Sequence, residues 1–206
     1  MKQNMLIFVA ITALAALSGA QTALIKGVHL TGPNCGQSTA NAVITPDGQT
    51  LSVLFDNYSV EIGDGSKNPQ ATSLQKNCSV LIDLEVPANV QFGLEQTDYR
   101  GFASIPARAV GIHRFTHVTA KHQGNSMKDA RIMGPSTGNY VSTVLQKKGN
   151  FSYTNCNQPQ QTLELLSELS VSYLPSSREH TLAMINLDSI DTGVHSTFKL
   201  NWRSCP

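Results

Sequence analysis

The chain has 206 residues, a length that suits one domain or at most two small ones. Its 15 Lys and Arg residues against 14 Asp and Glu residues give a formal net charge of +1, so it lacks the basic excess that binding to nucleic acid requires. Hydrophobic residues make up 40% of the chain and charged residues 14%, a composition that is too apolar for intrinsic disorder.

The first twenty residues have the pattern of a secretory signal peptide. Lys2 gives a positive start, an apolar run continues to Leu17, and small residues at 18–20 form a cleavage site. The apolar run is short for a membrane span, and the C-terminal end has no hydrophobic tail. We therefore predict a signal peptide over 1–20 and one mature domain over 21–206. The mature chain is expected to be secreted or periplasmic, without a membrane anchor.

Alternation of apolar and polar residues recurs along most of the mature chain. A period of two puts one side chain into a core and the next into solvent, which is typical of strands in antiparallel sheets. Turn-prone Gly, Pro, Asn and Asp residues separate these segments. The pattern predicts an all-β fold, a single antiparallel β-sandwich. The alternating apolar residues are Leu51, Val53, Phe55; Tyr58, Val60, Ile62; Cys78, Val80, Ile82, Leu84, Val86; Val90, Phe92, Leu94; Val110, Ile112, Val118; and Phe198, Leu200, Trp202.

The segment from Leu163 to Tyr173 fits two periods. Leu163 and Leu166 belong to a stripe with helical spacing, whereas Leu163, Leu169 and Tyr173 share the parity of a strand. Several serines in and after the segment lower its helix propensity. We interpret the segment as a long strand.

Four cysteines remain in the mature chain: Cys35, Cys78, Cys156 and Cys205. An even number in an exported chain indicates two disulfides, and the absence of a Cys-x-x-Cys pair disfavours a zinc ribbon or a thioredoxin-like site. Three pairings are possible, and loop-closure entropy does not choose among them. We favour Cys35–Cys78 and Cys156–Cys205, since each then ties one end of the domain to a nearby strand.

The densest group of histidines is His113, His117 and His122. On a strand, His113 and His117 share a face but lie about 13 Å apart, which is too far for two ligands of one metal ion. We interpret them as solvated side chains on an outer sheet face. No metal site and no cofactor are predicted.

Two groups of acidic residues have spacings that occur in functional sites. Asp83 and Glu85 are about 6.6 Å apart on one strand face, a separation found in glycoside hydrolases but met by any such pair on a strand. Asp188 and Asp191 lie in a loop that supplies too few oxygen ligands for calcium. A solvated face and a structural turn are the favoured interpretations.

Arg100 lies between two aromatic residues, Tyr99 and Phe102. An arginine in this setting can stack and hydrogen-bond a polar ligand such as a sugar or a carboxylate. We predict Tyr99 and Arg100 as binding residues. The alternative is an ion pair between Arg100 and Asp98 that braces the sheet, and composition does not separate the two.

Short motifs occur in order along residues 32–205. They are Gly32-Pro33-Asn34-Cys35, Phe55-Asp56-Asn57-Tyr58, Lys76-Asn77-Cys78, Val86-Pro87, Asp98-Tyr99-Arg100-Gly101-Phe102, Gly134-Pro135 with Tyr140, Asn155-Cys156, Leu187-Asp188-Ser189 and Leu200-Asn201-Trp202-Arg203-Ser204-Cys205. Together they resemble the secreted family catalogued as domain of unknown function 4360, found in bacteria and fungi. The resemblance implies export, one β-rich domain and four cysteines, and it implies no activity. Residues 153–157 depart from it, with Tyr-Thr-Asn-Cys-Asn in place of Trp-Ser-x-Cys-Gly, and Asn34-Cys35-Gly36 replaces the usual Gly-Cys-Pro.

Two classes of function fit these features. A non-catalytic binding or envelope module is favoured, because exposed strands rich in Ser, Thr, Asn and Gln suit contact with a neutral extracellular polymer or an envelope component. The alternative is an extracellular hydrolase that acts on wall or matrix polysaccharide. The sequence contains none of the common hydrolase or metalloprotease motifs, so an enzyme is the less favoured class.

Overall fold

The computed structural model describes residues 23–32, 35, 39–119, 122–123, 128–146, 152–175, 180–187 and 196–206. This part of the chain contains thirteen β-strands and no helix, which confirms the all-β prediction. The predicted signal peptide, 1–20, lies outside the described residues. In chain order the strands are β1 Leu24–Thr31, β2 Thr39–Ile44, β3 Thr50–Asp56, β4 Ser59–Ile62, β5 Ser73–Glu85, β6 Val90–Ile105, β7 Ala109–Thr119, β8 His122–Gln123, β9 Lys128–Met133, β10 Ser136–Leu145, β11 Gln160–Tyr173, β12 Ala183–Asn186 and β13 Ser196–Ser204.

The strands form two antiparallel sheets. Sheet A has the order β1-β5-β11-β7-β8, and β9 also pairs with β7. Sheet B has the order β2-β3-β13-β6-β12-β4, and β10 also pairs with β6. The inner faces of the two sheets enclose one cluster of buried side chains, which includes Tyr58, Phe92, Tyr99 and Phe198. This arrangement is the predicted antiparallel β-sandwich.

The segment with two possible periods is a strand. β11 lies in the middle of sheet A, paired along its length with β5 on one side and β7 on the other. Leu163, Leu165 and Leu169 are buried, while Leu166 alternates to the half-buried outer side. The strand buries these three leucines on one face, and each buried leucine contributes about 1.5–3 kcal/mol to stability. The period of two, and not the helical spacing, therefore describes this segment.

A β-bulge interrupts β6. Leu94 pairs with Leu200 of β13, but the next pair joins Gln96 to Lys199, so Glu95 is an extra residue. Before the bulge the even positions Val90, Phe92 and Leu94 belong to the core cluster, although Gln91 and Gly93 are buried too, and after it the odd positions are buried, from Thr97 onward. Bulges change the direction in which the following side chains point. This one puts Tyr99 into the core.

Both predicted disulfides are present. Cys35 is bonded to Cys78 of β5, with Cα atoms 5.2 Å apart. Cys156 is bonded to Cys205, just after β13, with Cα atoms 5.7 Å apart. All four cysteines are therefore oxidised. The first bond ties the segment after β1 to β5, and the second ties the turn before β11 to the residue that follows β13.

Candidate binding surface

The two predicted binding residues, Tyr99 and Arg100, lie on opposite faces of sheet B. Tyr99 is 1% exposed, and its ring packs 4.4 Å from that of Phe115 and 5.4 Å from that of Phe198. Arg100 is half-buried on the outer face. Neighbouring residues of a strand point to opposite faces, so one ligand surface cannot include both side chains.

The alternative ion pair between Asp98 and Arg100 does not form either. The carboxylate of Asp98 accepts hydrogen bonds from Gln96 Nε2 at 2.8 Å and from Thr143 Oγ1 at 2.7 Å. The backbone amide of Arg100 donates to Ser196 Oγ at 3.4 Å. Asp98 therefore links Gln96 of its own strand to Thr143 of β10, and its carboxylate is not paired with the guanidinium of Arg100.

The histidines of β7 are buried, so their interpretation as solvated side chains is wrong. His113 is 0% exposed and His117 is 8% exposed, because the odd positions of β7 face the core. Loss of contact with water lowers the pKa of His113 to about 3 and that of His117 to about 4. Both side chains are neutral at physiological pH. The side chain of His122 lies outside the described part.

A serine–histidine hydrogen bond lies inside the core. His113 Nε2 is 3.1 Å from Ser167 Oγ, and Tyr58 Oη donates to the Ser167 carbonyl at 2.7 Å. A nucleophile and its base need this geometry, but they also need access for a substrate. Both side chains are enclosed between the sheets. The pair therefore supports the packing of the core.

Asp83 and Glu85 lie on the outer face of sheet A, as the strand pattern predicted. They line a hollow of about 540 Å³ together with Gln160 and Thr162. Glu85 forms an ion pair with Lys26 at 2.5 Å. Asp83 accepts a hydrogen bond from Thr162 Oγ1 at 2.8 Å and lies 3.5 Å from His29 Nε2. Both carboxylates are thus engaged by neighbouring strands.

The described residues contain no group of three His, Cys, Asp or Glu side chains that could hold a metal ion. Asp188 and Asp191, which are interpreted from the sequence as part of a structural turn, lie outside the described residues.

The outer face of sheet B carries a row of polar side chains along β13, beside β6, in which Gln91 and Gly93 are buried and Gln96 and Asp98 are half-buried. We call it the β6–β13 surface. Residues opposite each other in an antiparallel pair share a face. The register of the two strands puts four such pairs in line: Asp98 with Thr197, Gln96 with Lys199, Gly93 with Asn201, and Gln91 with Arg203.

One hollow on this surface, the central groove, has a volume of about 220 Å³. The two charged residues that line this groove, Lys199 and Asp98, both have partners within the protein. Lys199 Nζ lies 3.3 Å from Glu95 Oε1, and Asp98 accepts two hydrogen bonds. The rest of its lining is amide and hydroxyl. Its residues are Gln49, Thr50, Gln96, Asp98, Thr197 and Lys199.

A second hollow of about 420 Å³, the Arg203 hollow, lies at one end of the same surface. Tyr153 is held there by a hydrogen bond from its Oη to Asn201 Oδ1 at 2.8 Å, and the guanidinium of Arg203 lies over its ring at 3.7 Å. The sequence did not identify these two residues as a site, because they are far apart in the chain. The lining residues are Gln91, Ser152, Tyr153, Thr154, Asn155, Cys156 and Arg203.

No helix in the described residues is long and apolar enough to cross a membrane.

Comparison with known proteins agrees with the motifs in the sequence. The family model of the domain of unknown function DUF4360 matches residues 21–205. An uncharacterised secreted protein of Arthroderma benhamiae is 23% identical over 181 residues, which cover 88% of this chain and 71% of the relative. The secreted relative and the two disulfides confirm the prediction of export.

Proposed function

Because this chain belongs to the DUF4360 family, whose function is unknown, and is exported, we propose from its surface that it is a non-catalytic binding module. Its ligand is a neutral extracellular polymer or an envelope component, and its binding site is the central groove. The observation that carries this proposal is the lining of that groove, which presents amides and hydroxyls while its charged groups, Lys199 and Asp98, already have partners.

The chemistry of the groove matches a neutral, hydroxyl-rich chain. Each hydroxyl of a sugar both donates and accepts hydrogen bonds, as do the amides and hydroxyls of Gln49, Gln96 and Thr197. A ligand with its own charge gains little, since Lys199 and Asp98 are bound to groups of the protein.

The shape of the groove favours a polymer over a small molecule. Its volume of about 220 Å³ lies below the roughly 300–1,000 Å³ of pockets that enclose drug-sized ligands. The groove lies on an open sheet face that continues along β13 toward Asn201. An extended chain can contact successive residues of that face, whereas a single small molecule contacts only one part of it.

The hydrolase alternative has less support from the geometry. The Ser167–His113 pair is closed inside the core, where no polymer reaches it. Asp83 and Glu85 line a hollow, but their oxygens are engaged by Thr162 and Lys26. Release of soluble sugar from a polymer by the wild-type protein is the result that would favour this alternative.

A pull-down on insoluble neutral polysaccharides tests the proposal. Cellulose, chitin and an insoluble β-glucan are incubated with the wild-type protein and with the double variant Gln49→Ala, Gln96→Ala. The matched control is Gln75→Ala, an exposed glutamine on the outer face of sheet A. We expect the double variant to lose about tenfold in affinity, since each lost neutral hydrogen bond contributes about 0.5–1.5 kcal/mol. Equal binding by all three proteins, or binding to none of the polymers, contradicts the proposal.

A further inference from the structure

Arg203 is an exposed cation without a carboxylate partner in the described part of the chain. Among the residues that line its hollow it is the charged one; the others carry amides, hydroxyls, a disulfide sulfur and a phenol. Two other basic side chains on the sheets, Arg114 and Lys199, are paired with acidic residues, whereas the exposed Arg131 of β9 bonds the sulfur of Met133. The Arg203 hollow is therefore a local region of uncompensated positive charge on a nearly neutral protein.

The guanidinium of Arg203 is fixed in position from two sides. Its Cζ atom lies over the ring of Tyr153, 3.7 Å from the ring centroid. The hydrogen-bond network orients the amide of Gln91 so that its oxygen accepts from Nε at 2.6 Å and Nη2 at 2.9 Å, while its nitrogen donates to the Thr154 carbonyl at 2.8 Å. Gln91 is itself only 4% exposed. A buried amide with three bonds thus holds the arginine.

The supports of the arginine are themselves held by β6. Thr154 donates its backbone amide to the Phe92 carbonyl at 2.8 Å, and its Oγ1 accepts from the Phe92 amide at 3.0 Å. Tyr153 is fixed by its hydrogen bond to Asn201. The geometry is present before any ligand arrives, so little conformational entropy is lost on binding.

The fixed orientation leaves one edge of the guanidinium available. A guanidinium has five N–H donors, and Gln91 uses one on Nε and one on Nη2. The remaining donors are one on Nη2 and two on Nη1, which form the edge that binds a carboxylate through two parallel hydrogen bonds. The described residues place no acceptor on that edge.

We propose that the Arg203 hollow binds a carboxylate group of an extracellular ligand. One negative charge matches the one charged residue that lines this hollow, and the planar carboxylate matches the planar fork. The carboxylate belongs either to a uronic acid unit of a polysaccharide or to the C-terminus of a peptide. This site is separate from the neutral central groove and does not depend on the function proposed for that groove.

Isothermal titration calorimetry of the mature secreted protein at low salt tests the proposal. The probes are a galacturonate trimer, a short peptide with a free C-terminus, the same peptide amidated, a neutral galactose oligomer, and sodium sulfate. We expect the trimer or the free peptide to bind, and the neutral and amidated probes to bind at least tenfold more weakly. The better of the two carboxylate probes identifies the source of the group.

Three variants assign the binding to Arg203. Arg203→Gln is expected to weaken carboxylate binding by about 10–100-fold, the range for a charge-assisted bidentate contact. Arg203→Lys keeps the charge but not the fork, so we expect an intermediate loss and a similar thermal midpoint. Arg131→Gln removes an exposed arginine of β9 on sheet A and is the matched control, with affinity expected to be unchanged.

Several outcomes would overturn the proposal. They are wild-type affinity in Arg203→Gln, an equal loss in Arg131→Gln, binding of sulfate as tight as that of the carboxylates, and no binding of either carboxylate probe. The double variant Gln49→Ala, Gln96→Ala is expected to keep carboxylate binding while it loses the neutral polymer. Failure at one site is thereby distinguished from failure at the other.

Discussion

Acidification is expected to destabilise this protein through two buried histidines well before its carboxylates become protonated. His113 and His117 face the core from β7 and are neutral in the fold, with pKa values lowered to about 3 and about 4 from an ordinary value of 6.5. Unfolding exposes both side chains to water, where they bind protons at that ordinary value. Their contribution to stability is therefore complete above pH 6.5 and is lost as the pH falls toward the folded-state values.

The size of the effect follows from the two lowered pKa values. Below pH 6.5, each histidine removes about 1.4 kcal/mol of unfolding free energy per pH unit until its folded-state pKa is reached. At pH 5 this amounts to about 2 kcal/mol for each residue and about 4 kcal/mol for both. A domain with a total stability of about 5–15 kcal/mol loses a large share of it.

The surroundings of each histidine offer no compensating charge. The ring of His113 lies 4.8 Å from that of Phe115, 5.1 Å from that of Tyr99 and 6.1 Å from that of Tyr140. His117 lines a small hollow of about 10 Å³ that it shares with the cationic Lys128. None of these described neighbours of the two rings is a carboxylate. The positive charge of a protonated imidazole would therefore be unpaired inside the core, which makes protonation in the folded state unfavourable.

Urea unfolding at pH 7 and pH 5 measures this effect. The signal is the fluorescence of Trp202, the single tryptophan, which packs 5.3 Å from the ring of Phe92 in the fold. His113→Phe is the diagnostic variant, since it loses the bond to Ser167 and is less stable at pH 7, yet should lose only about 2 kcal/mol between the two pH values. His29→Gln, on the exposed outer face of sheet A, is the control. Equal unfolding free energies at pH 7 and pH 5 for the wild-type protein would refute the reasoning.

Two further substitutions test the packing of β6. Tyr99→Phe removes a buried hydroxyl that has no hydrogen-bond partner in the described structure, so we expect stability to rise by about 1 kcal/mol, seen as a higher thermal midpoint; a clear fall would show that the hydroxyl has a partner. Gly101→Ala adds a methyl group within 2.9 Å of the Tyr140 ring and closer still to the Asn186 carbonyl, so we expect a loss of about 1–3 kcal/mol in urea unfolding. An unchanged midpoint for this variant would contradict the close approach of β12 to β6.

The alternation of side chains determined most of the secondary structure. Apolar residues at every second position, such as Val80, Ile82 and Leu84, are compatible only with a strand that has one face buried, because a helix has a period of about 3.6 residues. Export and four cysteines indicated two disulfides, and the favoured pairing is the one observed. The bulge of β6 is also visible in the sequence, because the buried apolar residues change from even positions, up to Leu94, to odd positions, from Tyr99.

The sequence of β7 does not determine which of its two faces is buried, since apolar residues occur on both parities. Ile112 and Val118 are apolar on one parity, and Phe115 is apolar on the other, beside the two histidines. Tertiary packing decided the question. The inward parity carries Gly111, which leaves room for the side chain of Ile105 from the opposite sheet, while Arg114 on the outward parity pairs with Asp129 and Glu168.

The candidate site was likewise decided by the tertiary structure. Tyr153 and Arg203 stack because the segment after β10 lies along β6 while β13 pairs with the same strand from its other side. Alternation describes neighbours within one strand and says nothing about which distant segment lies beside it. Local patterns therefore determined the strands, and the long-range pairing of those strands decided which side chains share a surface.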